Sequence, residues 1–183
     1  MFASQVITRM VSSLRPSALT IRPARAEDAD LIMQMHQQLS ADTLYQRYHI
    51  ERIPSHGEFR KMYALDGRNG RSFLALLPGN KHPLVGLATY VTNPELPIVA
   101  EVALLVADDY QGQGIGRKLM NRLVEEAQKQ NIRFFDGYIK SSNRPMVHLL
   151  RSSGKLTEIH YDPGAIEMRV ELGVQQPPFS LHV

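Results

Sequence analysis

Chemistry in this chain is concentrated in one stretch, Glu101–Arg117, which reads EVALLVADDYQGQGIGR. A lone carboxylate sits in an apolar strand, and the strand runs into a turn with glycine at 112, 114 and 116 ahead of a long amphipathic helix. Glycine removes the Cβ where backbone N–H groups converge on an anion. The following helix adds its unpaired N-terminal donors and the positive end of its dipole. Such a turn is built to hold a pyrophosphate. Glu101 poses a different problem, because a carboxylate among Val, Ala and Leu is costly to bury unless it is paired, hydrated or functional. It is either a charge near a strand end that reaches solvent or a group that moves a proton.

The spacing of the turn decides between nucleotides. A dinucleotide fingerprint G-x-G-x-x-G read from Gly112 needs glycine at 117, where the chain has Arg117. A P-loop fails at the same position and has no Ser or Thr after Lys118. What remains is Q-x-x-G-x-G, written by Gln111, Gly114 and Gly116 and preceded by Leu104-x-Val106 and Tyr110. This pattern resembles the coenzyme A signature of the GNAT superfamily of N-acetyltransferases. A second block, SSNRPMVHLLRSSGK from Ser141 to Lys155, is similar to the family's next strand-to-helix region. The amino-terminal stretch LTIRPARAEDADLIMQMHQQLSADTLYQRYH resembles the start of the acetyltransferase domain in bacterial Pat-type protein lysine acetyltransferases. The similarity runs from about Leu19 to Leu172.

The resemblance implies an α/β GNAT fold, a mixed and mostly antiparallel twisted sheet flanked by helices, splayed between Ile98–Ala107 and Phe134–Ile139. Acetyl-CoA is expected in that splay as the acetyl donor. Backbone donors of Gln111, Gly112, Gln113, Gly114, Ile115 and Gly116 would take its pyrophosphate. Leu104, Leu105 and Val106 would pair with the pantetheine amides as a surrogate strand. A backbone N–H at a strand bulge would stabilise the oxyanion as acetyl passes directly to the acceptor. Asn143 has two roles open to it, contact with the pantetheine arm and capping of its own helix. Arg117 and Lys118 are either solvated helix residues or a screen for the phosphate charge. Glu101 matches the family's glutamate and would be the general base, taking the proton that an ammonium must lose before its nitrogen attacks. Partial burial would raise its pKa toward the working pH. Leu150 stands where many members carry a tyrosine that protonates the thiolate, so that acid is missing. His148 lies on another helical face, and Lys155 replaces an aromatic.

The acceptor implied is a primary amine. A protein lysine follows from the Pat-type resemblance, with a small-molecule amine as the alternative and a non-catalytic acyl-CoA-binding module as a third. The bulk properties exclude other classes. No apolar run reaches the ~20 residues that span a bilayer. The chain has 0 cysteines, so an acyl-cysteine intermediate, a disulfide framework and a thiolate metal site are all impossible, and a reducing, cytoplasmic compartment suits it. The pI of about 9.3 is compatible with an acidic cofactor. Basic residues form no run and no aromatic-plus-basic strand, so no nucleic-acid partner is expected, and no metal site is either.

These groups must be positioned by one domain over residues 18–172, between a leader at 1–17 and a tail at 173–183. The leader has basic residues and no acid, which fits a weak targeting peptide or a loosely docked arm. Leu19–Arg22 reads as a strand, Ala26–Leu39 as a helix with Glu27, Asp28 and Asp30 in its first turn, and Ser40 as the cap of a second helix to Tyr48. Glu58–Leu65 reads as a short helix. Ser72–Leu77 and Leu84–Thr92 read as a hairpin around PGNKHP. Ile98–Ala107, the helix Gly114–Gln130 and a buried strand Phe134–Ile139 form a right-handed parallel unit with the ligand at the strands' carboxyl ends. A helix over Asn143–Ser153 and a terminal hairpin, Leu156–Tyr161 with Ala165–Leu172, complete the pattern.

Overall fold

A computed structural model of the chain describes residues 19–48, 69–79 and 83–173, together with 55, 57–59 and 63. The expected leader, the tail beyond residue 173 and most of the helix expected over Glu58–Leu65 lie outside the described residues. The strands are β1 (Thr20–Pro23), β2 (Gly70–Leu76), β3 (Leu84–Asn93), β4 (Leu96–Val106), β5 (Phe134–Lys140), β6 (Gly154–Asp162) and β7 (Ala165–Leu172). The helices are α1 (Ala29–His36), α2 (Ala41–Tyr48), α3 (Ile115–Lys129) and α4 (Arg144–Arg151). The strands form one 7-stranded sheet in the order β1-β2-β3-β4-β5-β7-β6. Every pairing is antiparallel except that of β4 with β5. The α/β architecture, with a mixed and mostly antiparallel sheet flanked by helices, is the one expected. None of the described helices is long and apolar enough to cross a membrane.

Both faces of the sheet are covered at its centre, which is why β2 and most of β3 are buried at nearly every position rather than at alternate ones. Phe73, Ala75, Val85, Ala88 and Tyr90 point to α3, whose Leu119, Met120, Leu123 and Ala127 are buried against them. The intervening Leu74, Leu76, Leu84 and Leu87 point the other way, to Ile32 and Met35 of α1 and to Phe59 and Tyr63. Gly86 lets α3 approach β3 closely, since a Cβ there would lie 2.9 Å from Leu119 Cδ1 and 3.1 Å from Ile115 Cγ2.

Several elements differ from the sequence reading, each for a local reason. The first helix begins as a 3₁₀ turn over Ala26–Asp28. There Asp28 is drawn into bonds, accepting from the Arg25 N–H at 2.8 Å and bidentately from Arg22 on β1 at 2.6 and 2.7 Å. The hydrogen bonds from Arg22 hold the Asp28 carboxyl below its ordinary pKa. β5 is not buried throughout: Phe135, Gly137 and Ile139 face the core while Tyr138 is exposed, the alternation of a strand covered on one face. The helix expected over Asn143–Ser153 spans Arg144–Arg151, and Gly154 opens β6. A Cβ there would run into the backbone carbonyl of Glu171, so only glycine lets β6 and β7 meet. The Ser40 cap is as expected, its Oγ accepting from the Thr43 N–H at 3.2 Å.

Behind α2 lies a buried polar knot. His36 has no solvent exposure. Its Nδ1–H donates to the Ile32 carbonyl at 2.6 Å, which fixes the tautomer. Nε2 is then the acceptor for the paired hydroxyls of Tyr48 and Tyr63, which also bond to each other, so that one of the two protons goes to the ring and the other lies between the tyrosines. The guanidinium of Arg47 lies 4.9 Å from the Tyr48 ring centroid and 5.7 Å from that of Tyr63. Burial, opposed by the Ile32 carbonyl and aided by the Arg47 charge, lowers the His36 pKa to about 4. Burial likewise raises the pKa of both tyrosines, so they stay hydroxylic.

The linkage has a definite sign. The unfolded chain protonates His36 near the ordinary value of about 6.5, while the native state keeps it neutral until about 4. Stability is therefore lost as pH falls from 6.5 to about 4, by an amount on the order of 3 kcal/mol for the full window. Thermal unfolding followed across this window should show the melting temperature of the wild type dropping more steeply than that of His36→Gln. Parallel slopes would mean that His36 is already charged in the native protein.

Candidate active site

The parallel pairing of β4 with β5 joins Val99 to Phe134, Ala100 to Phe135 and Glu101 to Asp136, and ends there. β4 continues to Val106 paired with β3 alone, and β5 continues to Lys140 paired with β7 alone. The two strands thus part at Glu101, leaving the β5-facing edge of β4 from Val102 to Val106 without a strand partner. A cleft of about 630 Å³ occupies the gap. The expected splay is present, and Glu101 stands at its vertex.

One wall is the glycine turn. Gly112 and Gly114 have φ of 72° and 80°, left-handed values that cost little only for glycine. Gly114 is the N-cap of α3 and has no side chain to satisfy the helix's first N–H groups, so those donors stay available to an anion. Gln111 holds the turn in place, its Nε2 donating to the Val106 carbonyl at 3.0 Å and to Thr43 Oγ1 at 3.2 Å. Asp108 fastens the same turn to α2. Its carboxylate accepts from the Ser40 N–H at 2.9 Å and from the Ser40 and Thr43 hydroxyls, both at 2.7 Å. Burial raises the Asp108 pKa, but these bonds outweigh it and leave the carboxyl below its ordinary range.

The opposite wall is α4 with the end of β5. Asn143 caps α4, its Oδ1 accepting from the Met146 N–H at 3.2 Å, so the capping role is real, and the residue also lines the cleft. Leu150 is fully buried, and its Cδ2 occupies the space above Gly137. The side chain at this position points into the core, away from the gap that Met146 and Leu149 line.

All the residues expected at the site line this one cleft except Gln113 and Arg117. Both are exposed, and Gln113 Nε2 donates to the Asp109 carbonyl at 2.9 Å. Glu101 is exposed, so the partial burial expected of it is not met. The cause is the splay itself, which removes the neighbouring strand from one side just past this residue. Its register partner Asp136 is engaged by Arg169, which donates from Nε at 2.8 Å and from Nη2 at 2.7 Å. Glu101 has no such partner among the described residues.

The family resemblance implies that helices between Ala26 and Leu65 wall the acceptor cleft, and α2 does form a wall, but the sequence reading named none of its residues. Asp42, Thr43, Gln46, Arg47 and Tyr48 all line the cleft, as do Tyr138 and Ser142. The residues of α2 recur at helical spacing, and the pair of acids just before the glycine turn was the available hint that something polar must lie opposite.

Comparison with known proteins agrees with this geometry. The sequence profile described as the Acetyltransferase (GNAT) family matches residues 34–154. The chain is 27% identical over 161 residues to the acetyltransferase Pat of Mycolicibacterium smegmatis, covering 87% of this chain and 48% of that protein. It thus spans about half the length of this relative. Among solved structures, the GNAT domain of S. lividans PAT superposes with a TM-score of 0.70 at 20% identity, over 83% of this chain and 89% of that one. A GNAT superfamily phosphinothricin acetyltransferase from Sinorhizobium meliloti, in complex with acetyl-CoA, gives 0.68 at 19% identity, over 90% and 95%. The matched profile takes in α2, the parting strands, the glycine turn and α4, and the chain belongs to the GNAT acetyltransferase family.

Proposed function

We propose that this protein transfers an acetyl group from acetyl-CoA to a primary amine, and that the amine is a protein lysine. One observation supports this above the others: the unpaired edge of β4 runs from Glu101 at the vertex to the left-handed glycine turn, so one cleft holds an anion site, a free strand edge and a carboxylate in line.

These residues fit the cofactor. The turn from Gln111 to Gly116 offers backbone N–H groups and a helix N-terminus to a pyrophosphate. The free edge of Leu104, Leu105 and Val106 offers strand hydrogen bonds to the pantetheine amides. Arg117, exposed on the first turn of α3, adds positive charge near the phosphates without lining the cleft. Acetyl-CoA brings the acetyl group as a thioester, activated for attack by nitrogen. Glu101 takes a proton from the incoming ammonium, directly or through water, and frees the nitrogen lone pair. Leu150 supplies no proton to the departing thiolate. A thiol of pKa ~8.5 leaves well enough that water can serve.

The resemblance of the amino-terminal stretch to Pat-type protein lysine acetyltransferases favours the protein lysine, and similarity to the M. smegmatis acetyltransferase Pat runs over 87% of the chain. A small amine is the second reading, favoured by the likeness to the phosphinothricin acetyltransferase of S. meliloti.

Acetyl-CoA should raise the melting temperature, because a ligand that binds only the native state stabilises it by mass action. NAD and ATP should not match the shift. Gly114→Asp should abolish it, since the new side chain strains a φ of 80° and sets a negative charge beside the phosphates. A shift surviving in Gly114→Asp would move the pyrophosphate elsewhere.

Glu101→Gln keeps the volume but cannot accept the proton. Acetyl-CoA binding should stay intact while turnover falls by roughly 10²–10⁴-fold. The defect should shrink at high pH, where the amine is already neutral. Near-native turnover of Glu101→Gln at neutral pH would remove Glu101 from the chemistry.

A further inference from the structure

His148 takes no part in the acetyl-CoA cleft, to which α4 presents Pro145, Met146 and Leu149. It faces a second concavity, a groove of about 490 Å³ between α4 and the start of β7. Arg144, His148 and Arg151 line this groove together, at the i, i+4 and i+7 spacing that sets side chains on one side of a helix. Ser141, just before the helix, adds a hydroxyl. Ser152 lines the groove too, but its hydroxyl already donates to the Leu149 carbonyl at 2.8 Å. Val147 and Ile166 give the groove half-buried apolar walls. Ile166 pairs in register with Tyr161, so that exposed ring stands on the same face of the β6–β7 ribbon.

The charge of this groove is unbalanced. Arg22, Arg71, Arg122, Arg133 and Arg169 each lie beside a carboxylate. Arg144 and Arg151 have no such partner among the described residues, and no carboxylate is among the groove's lining residues. Basic side chains gathered on one helix face repel one another, and an anion between them removes that cost. The guanidinium is a planar fork that fits the oxygens of a phosphate two at a time, and two of them match a doubly charged group better than a single carboxylate. His148 adds a ring N–H. The apolar walls require more of the ligand than charge, because inorganic phosphate would leave Val147, Ile166 and Tyr161 unused. A concave site of this volume has the size of a small-molecule site, which favours a free ester over a lipid headgroup.

We propose that the groove binds a soluble phosphate monoester, its phosphate held by Arg144 and Arg151 and its organic part lying on Val147, Ile166 and Tyr161. The site is separate from the acetyl-CoA cleft on the other side of α4. It goes beyond the acetyl transfer proposed above and holds whichever amine is the acceptor.

The probe is phenyl phosphate, titrated into the full chain saturated with coenzyme A so that the glycine turn is already filled. Amide NMR shifts of α4 should move with one saturating isotherm. Arg144→Gln and Arg151→Gln should each weaken binding about tenfold, the size expected for losing one charged hydrogen-bonding partner. Arg117→Gln, on the first turn of α3, should leave it unchanged. Benzoate, with one charge, and inorganic phosphate, with no ring, should both bind more weakly than phenyl phosphate. Unmoved α4 amides overturn the inference, as does unaltered affinity in Arg144→Gln and Arg151→Gln. Binding that occurs without coenzyme A and vanishes on adding it also overturns it, since the anion then belongs to the cofactor site. Equal affinity for inorganic phosphate overturns the assignment to an ester. Binding only to phosphatidylcholine vesicles that carry phosphatidic acid, and not to phenyl phosphate, would make the ligand a lipid and overturn the soluble source.

Discussion

Parallel pairing between β4 and β5 lasts from Val99 to Glu101 and then stops, and the cleft follows from that interruption. A strand edge inside a sheet is normally consumed by its neighbour. Here the edge of β4 past Glu101 has no strand beside it among the described residues, with its Val106 carbonyl taken by Gln111, while β3 secures the other side as far as Val106. The free edge could not persist if β5 were free to swing back. β7 prevents this by pairing with β5 along its whole length, from Phe134 to Lys140, and α4 packs Leu150 over Gly137. The cleft is the gap between two strands, each fully committed on its far side.

The same geometry explains the uneven burial along the sheet. β2 and β3 lie between α3 on one face and α1 with Phe59 and Tyr63 on the other, so both faces carry apolar side chains. Toward β5, β7 and β6 no second cover lies among the described residues, and the strands revert to alternation, with Tyr138 and Tyr161 exposed. Glu101 sits on the boundary between the two regimes. That position lets one carboxylate belong to a strand whose neighbours Val99, Ala100 and Val102 are buried and still meet solvent.

Much of this is legible in the sequence because it is local. The glycine spacing at 112, 114 and 116 reports a backbone requirement, and two of the three glycines are left-handed. The apolar spacing of Leu119, Leu123 and Ala127 reports the buried face of α3. What escapes is set by partners distant in the chain. The contact of Asp108 with Ser40 spans 68 residues, and that of Gln46 with Ser142 spans 96, with no periodicity to betray them. Glu101 was expected to be partly buried because its strand neighbours are apolar. Strand composition records the core-facing side chains and says nothing of a neighbouring strand that turns away. The same limit applies to β5, where Phe135 and Ile139 suggest burial on both faces while Tyr138 marks the open one.

Asp108 gives the molecule a property that neither wall of the cleft has alone. Its carboxylate takes three hydrogen bonds from Ser40 and Thr43, at the start of α2, while its own backbone leads directly into the glycine turn. The glycine turn and α2 therefore share a mechanical joint. A ligand that ordered one would, through these bonds, help order the other, and thermodynamic reciprocity would make the effect equal in both directions. Two substrates that never touch Asp108 would each sense the other's arrival through it.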